Sequence, residues 1–171
     1  MSTRDAVARE ISRALALLME PGDVIELRAP KCGRAGTVSG YYDDPAALVS
    51  DAIKIEREYK PAGIYVTANL VNAALLARAS NHYVERAEHT TSDGDILRRR
   101  WLPIDLDPVR PAGVSSTDAE HGAALALARQ ARDWLIELNV PAESISLADS
   151  GNGAHVLVRI DLPNAPDSTA A

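Results

Sequence analysis

Phenylalanine is absent from this 171-residue sequence, and only five Tyr and two Trp supply aromatic volume. The core must therefore be filled by Ala, Leu, Val and Ile. Cysteine is almost absent too. Cys32 is alone, which excludes an intrachain disulfide framework and a Cys-based zinc site. No apolar run reaches the roughly 18 residues of a membrane-spanning helix. The first 20 residues alternate charged and apolar positions and lack the unbroken apolar stretch of a secretory signal. These absences predict a cytoplasmic protein with no membrane partner. Basic residues are scarce in one half only. Residues 1–100 carry 14 bases and 14 acids, whereas residues 101–171 carry 4 and 10, which accounts for the whole net charge of −6. A duplex-coating protein is basic. An acidic half suits a site that gathers divalent cations, which then bridge to phosphates; an ordinary acidic surface gives the same balance.

The length fits one domain, residues 1–171. Val7, Ile11, Leu15 and Leu18 recur at helical spacing within 5–20, and Pro21-Gly22 ends that helix. Strands are expected over 23–29 and 37–42, with a loop at 30–36 between them. Asp44-Pro45 pairs an N-cap with proline at the first helical position and opens a helix to Tyr59. GIYVT at 63–67 reads as a strand, and a short helix follows at 72–79. Residues 80–100 are polar and without period, so a long surface segment is expected there. Beyond it come a strand at 101–107, a stiff loop at 108–113, and a helix from the capping box Thr117-x-x-Glu120 to about Leu138. Ala124, Leu127, Ala131, Trp134, Leu135 and Leu138 are its expected buried stripe. Strands at 144–149 and 154–162 flank the turn Ser150-Gly-Asn-Gly153 and form a hairpin. The small polar tail 165–171 is expected to fray. Alternating helices and strands predict an α/β or α+β fold, a mixed sheet with helices packed on it. It divides into an N-terminal part, 1–100, and a motif-bearing part, 101–164.

Two local patterns carry chemistry. In Ile104-Asp105-Leu106-Asp107, residues two apart on a strand point the same way, so Asp105 and Asp107 share one face, about 6–7 Å apart. Such carboxylates repel unless a cation lies between them, and hard oxygen donors suit Mg²⁺ or Mn²⁺. A solvent-facing acidic strand end has the same sequence. In Ser150-Gly151-Asn152-Gly153-Ala154-His155, the glycines allow close backbone approach to a ligand. His155, Arg159 and Asp161 have one parity, while Val156, Val158, Ile160 and Leu162 have the other and form the apolar face. Backbone N–H groups of the turn can form an anion nest suited to a triphosphate. A plain hairpin with an exposed histidine is the alternative. Arg110, set between Pro108 and Pro111, is a further phosphate candidate. Arg98, Arg99 and Arg100 are the only basic run, suited to template phosphates or to a solvated loop. His82, His89 and His121 lack metal-ligand spacing and read as surface residues, and Cys32 as a loop thiol.

Taken together, the D-x-D strand, the proline-stiffened loop, the helix and the S-G-x-G-x-H hairpin resemble the archaeo-eukaryotic primase superfamily. The wider text also looks like the primase-polymerase domains of phages, plasmids and other mobile elements. ELR (26–28), SGYY (39–42), IYVTAN (64–69), RRRWLPIDLDPVRP (98–111), SSTDAEH (115–121) and SGNGAHVLVRIDLPN (150–164) carry the resemblance over about residues 23–164. It implies an N-terminal α/β unit beside a βαββ catalytic module like the RNA-recognition motif. It also implies template-dependent primer synthesis from nucleoside triphosphates on single-stranded DNA, with a helicase attached or separate. Asp105 and Asp107 would hold the metals. His155, Ser150, Gly151, Asn152, Gly153 and Arg110 would bind the nucleotide, with His155 part of the catalytic set. Tyr65 and Asn69 would line the nucleotide pocket. The family's third motif, a metal-binding acid on a later strand, does not appear in this chain. It is therefore expected to be a shortened relative or an N-terminal portion, and a nucleotide-binding module without turnover is the competing class. D-x-D also marks phosphohydrolases of the haloacid-dehalogenase type. Val109 fits their pattern, but the position in the chain and the missing later Lys and acid pair do not.

Overall fold

The computed structural model describes residues 3–111 and 113–165. Among the described residues the fold is α+β, with three α-helices and two antiparallel sheets in place of the mixed sheet expected. The chain divides into two compact units. One runs to Arg99 and resumes at Pro163; the other is Arg100–Leu162.

In the first unit, α1 (Thr3–Leu18) is followed by β1 (Ile25–Ala29) and β2 (Val38–Tyr42), which pair antiparallel with Leu27 opposite Gly40. The helix α2 (Pro45–Tyr59) starts where the sequence puts it. Asp44 accepts a hydrogen bond from the Ala46 N–H at 2.8 Å, and Pro45 needs no donor in the first turn. Lys60, left-handed at φ 46°, stops it by donating its N–H to the Glu56 carbonyl. Two short strands follow, β3 (Tyr65–Val66) and β4 (Leu70–Val71), and then a 3₁₀ segment, Ala73–Arg78, in place of the expected short helix. Leu15, Leu27, Tyr42, Leu48 and Ile55 are fully buried at the centre of this unit.

The polar stretch 80–100 lies at the surface as expected, none of its residues buried, but it is not without regular structure. It contributes β5 (Tyr83–Val84) and the first half of β6 (Ile96–Leu106). β5 closes the sheet order β3-β1-β2-β5, and β6 starts five residues before Trp101, pairing with β4. Arg98, Arg99 and Arg100 are thus half-buried strand residues, and Arg99 donates to Asn164 at 3.2 and 3.1 Å. Alternation is hidden here because long arginine stems can cover apolar surface while their charges reach water.

In the second unit, β6 is followed by α3 (Asp118–Glu137), β7 (Ile145–Asp149) and β8 (Ala154–Pro163), with β8 between β6 and β7. Thr117 caps α3: its hydroxyl accepts from the Glu120 N–H, and the Glu120 carboxylate takes the Thr117 N–H at 2.8 Å. β7 and β8 form the expected hairpin, Asp149 opposite Ala154. Pro103 sits within β6, which requires its nitrogen to face away from the β8 ladder.

The buried stripe of α3 differs from the expected one. Ala124 and Ala128 are buried, with Leu125, Ala131, Leu135 and Ile136 packed beside them on Val156, Val158 and Ile145. Leu127, Trp134 and Leu138 are 50%, 59% and 54% exposed. The two sets lie side by side on the helix, and the alanines take the centre because a helix on a sheet approaches closest over small residues. Leu162 also departs from the apolar face of β8 and is exposed. The tail beyond Ala165 lies outside the described residues. No helix among the described residues is long and apolar enough to cross a membrane.

Candidate functional site

The acidic pair lies where strand alternation puts it. Ile104 and Leu106 turn into the core of the second unit, while Asp105 and Asp107 are exposed at the end of β6. Each acid has a histidine or arginine side chain beside it. The His155 Nε2 is 3.3 Å from Asp105 Oδ1, and the Arg110 Nη2 is 3.5 Å from Asp107 Oδ2. His155 reaches Asp105 because Val156 and Val158 are buried on the opposite face of β8, which fixes its direction. Arg110 also donates to the Val114 carbonyl at 2.7 Å, so its loop folds back toward the strand end, and its Nε is buried with no hydrogen-bond partner.

The turn 150–153 is pressed against the same strand end. A Cβ on Gly153 would stand 2.7 Å from the Leu106 carbonyl and 3.2 Å from the Asp107 Cα, and would collide with the Asp107 carboxylate. Only glycine allows this approach. Gly151, at φ +83°, supplies the left-handed residue that the turn needs. Asp105, Asp107, Arg110, the Ser150–Gly153 turn and His155 are thereby brought together within one unit.

The anion nest is not open in the expected form. The Gly151 N–H donates to Asp149 Oδ1 at 2.7 Å, and the Gly153 N–H donates to Ser150 Oγ at 2.9 Å. Side chains within the turn have taken these donors, because an amide left unpaired near a carboxylate is costly. The Ser150 hydroxyl proton, the His155 ring and the Arg110 guanidinium are the groups left to meet an anion. Asn152 turns aside, its Oδ1 accepting from the Ser116 N–H at 3.1 Å, which ties the turn to the segment leading into α3.

The sequence reading missed one member of this group. His121 is not a bare surface residue: its Nε2 lies 2.8 Å from Asp149 Oδ1, the oxygen that also accepts from Gly151. The Gly151 amide and then the His121 ring hold the Asp149 carboxyl below its ordinary range. The capping box fixes the start of α3 and puts His121 four residues beyond Thr117 on its first turn, but no signal in the sequence pairs it with Asp149. His82 and His89 are exposed, as expected. Cys32 is a free thiol in the loop after β1, as expected, but a buried one, its Sγ 3.3 Å from the Ala29 carbonyl.

The donor set suits a hard divalent cation in type, two carboxylates open to solvent on one face. No group of three or more His, Cys, Asp or Glu side chains able to hold a metal occurs among the described residues.

Tyr65 and Asn69 belong to the first unit. Tyr65 lines a cavity of about 380 Å³ with Glu26, Arg28, Thr67, Thr91 and Ser92. Glu26 is buried and takes hydrogen bonds from Arg28 (3.0 and 2.6 Å), Ser39 (2.5 Å) and the Thr91 N–H (3.0 Å). Burial pushes its carboxyl up, and these bonds more than offset that, leaving it below the ordinary range. Asn69 lies between β3 and β4.

No protein-family model, curated protein or solved structure matches this chain.

Proposed function

We propose that this chain is a primase-polymerase domain, or its N-terminal portion, that transfers nucleotidyl groups from nucleoside triphosphates onto a primer strand templated by single-stranded DNA. One observation carries the reading. Two solvent-open aspartates share the end of β6, and the Ser150–Gly153 turn approaches them so closely that Gly153 admits no side chain. A surface D-x-D needs no such neighbour.

In this reading Asp105 and Asp107 hold Mg²⁺ or Mn²⁺, which when bound supplies activation of the 3′-hydroxyl and neutralises charge on the departing pyrophosphate. His155 and the Ser150 hydroxyl orient the triphosphate. Arg110 is bound to Asp107 at the site's edge and can exchange that partner for a phosphate oxygen, since a guanidinium pairs with either. The 3′-hydroxyl gives its proton to solvent, its oxygen bonds to the α-phosphorus, and the bond from the α-phosphorus to the bridging oxygen breaks, so that pyrophosphate leaves with that oxygen. A replicative helicase, attached or separate, and a cytoplasmic setting accord with this activity.

The test combines binding with turnover. Mn²⁺ is expected to broaden NMR signals of residues 104–108, and Asp105→Asn with Asp107→Asn to abolish that response. Primer synthesis, where present, is expected to fall on the order of 10³-fold or more in Asp105→Asn. Nucleotide and Mn²⁺ binding without synthesis identifies the competing class, a binding module. Mn²⁺ binding unchanged in the double variant overturns the metal assignment.

A further inference from the structure

We infer that His121 and Asp149 are positioning residues that hold the Ser150–Gly153 turn in the shape that receives a nucleotide's phosphates; the inference rests on the nucleotide-binding reading above. Three facts converge on it. Asp149 ends β7, and a single oxygen of its carboxylate, Oδ1, accepts from both the Gly151 N–H at 2.7 Å and the His121 Nε2 at 2.8 Å. The turn thereby acquires an anchor on α3, 28 residues back in the sequence. Asn152 gives a second anchor through Ser116, so the turn is held from both sides by the segment that starts α3. Finally, Gly153 must keep its close approach to Asp107, and a turn free to rotate about the left-handed Gly151 would lose it.

The pair's chemistry also suits a positioning role. A carboxylate that bonded Gly151 alone would be mobile, because its χ1 and χ2 rotations are open to solvent. The His121 bond fixes it, and α3 fixes His121 through the Thr117–Glu120 capping box one turn earlier. Neither residue needs to touch the ligand. Effects of the two should therefore fall on nucleotide affinity and leave metal affinity alone.

The experiment measures binding of a fluorescent N-methylanthraniloyl-dATP in the presence of Mn²⁺, binding of Mn²⁺ alone, and hydrogen exchange of the Gly151 amide. The wild type is compared with His121→Ala, His121→Gln and Asp149→Asn. His121→Ala is expected to weaken nucleotide binding about tenfold, the size of one hydrogen bond to a charged group. It is expected to speed Gly151 exchange and leave Mn²⁺ affinity unchanged. His121→Gln, whose amide can donate to Asp149, is expected to recover most of the affinity. Asp149→Asn keeps an acceptor oxygen and is expected to fall between. Where primer synthesis is measurable, KM for the nucleotide should rise with kcat retained. Nucleotide affinity unchanged in His121→Ala, with Gly151 exchange accelerated, overturns the positioning role and leaves the functional reading standing. Absence of nucleotide binding by the wild type overturns the functional reading and this inference with it.

Discussion

One charged cluster in each unit is placed in opposite ways. The first unit buries its cluster: Glu26 sits in the interior of a sheet, satisfied by Arg28, Ser39 and Thr91. The second displays its own: Asp105, Asp107 and His155 lie on an open face over a core of small residues, Ala128, Ala154, Val156 and Val158. A buried carboxylate with every lone pair engaged fixes one arrangement of strands and contributes to specificity. Exposed carboxylates that share one face repel each other and add nothing to stability unless a cation lies between them. The first unit is therefore read as charge in the service of structure, and the second as structure in the service of charge.

The largest expected effect breaks the buried cluster. In Glu26→Gln, Ser39 keeps an acceptor, but the new amide N–H₂ faces both Arg28 Nη2 and the Thr91 N–H, donor against donor. Loss of about 3 kcal/mol is expected, the lower end for buried pairs, because Arg28 retains a face in solvent. The pH dependence has a definite sign. The folded carboxyl is held below its unfolded value of about 4.3. Its contribution is thus complete above that pH and is lost as pH falls through the folded value. Urea titrations from pH 7 to pH 3 should show the gap between wild type and variant narrowing below about pH 4. A gap constant with pH would remove Glu26 from the ionised cluster and weaken the contrast between the units.

A smaller effect tests the displayed site. Gly153→Ala pushes a methyl group into the Leu106 carbonyl and the Asp107 side chain, so the turn must retreat. A cost of about 2 kcal/mol is expected from overpacking, with loss of Mn²⁺-dependent nucleotide binding. A Gly153→Ala protein with wild-type stability and binding would mean that the turn does not rest against Asp107.

What could be read in advance was what the chain decides locally. Asp44-Pro45 and Thr117-x-x-Glu120 fix helix starts within four residues, and both caps form as read. Asp105, Asp107 and His155 share a side of the sheet because parity alone determines it. Elements made by distant partners were not legible. β4 and β5 are two residues each and exist only through pairing with β6 and β2, whereas β3, expected over 63–67, forms at Tyr65–Val66. The Glu26 cluster joins residues 26, 39 and 91, and nothing around Glu26 marks it for burial. The His121–Asp149 bond spans 28 residues, and neither neighbourhood names the other.

The misplaced stripe of α3 leads to the smallest expected effect. Leu127, Trp134 and Leu138 recur at helical spacing as strongly as the alanines that are buried, yet they face outward. Hydrophobic periodicity identifies an amphipathic helix without choosing between adjacent stripes, and side-chain size makes that choice. At 59% exposure, Trp134 contributes little to the packed core. Trp134→Gln is expected to change unfolding free energy by no more than about 0.5 kcal/mol, as surface substitutions do. Fluorescence checks the same point independently. Trp101 is 4% exposed, so the two tryptophans differ sharply in access to solvent. Acrylamide should quench the wild-type emission in two classes, and Trp134→Gln should leave only the protected, blue-shifted class. A loss of 2 kcal/mol or more, or a single protected class in the wild type, would show this flank of α3 to be covered in solution. The second unit's core would then be larger than its alanines and valines, and the contrast with the first unit would narrow to the placement of charge alone.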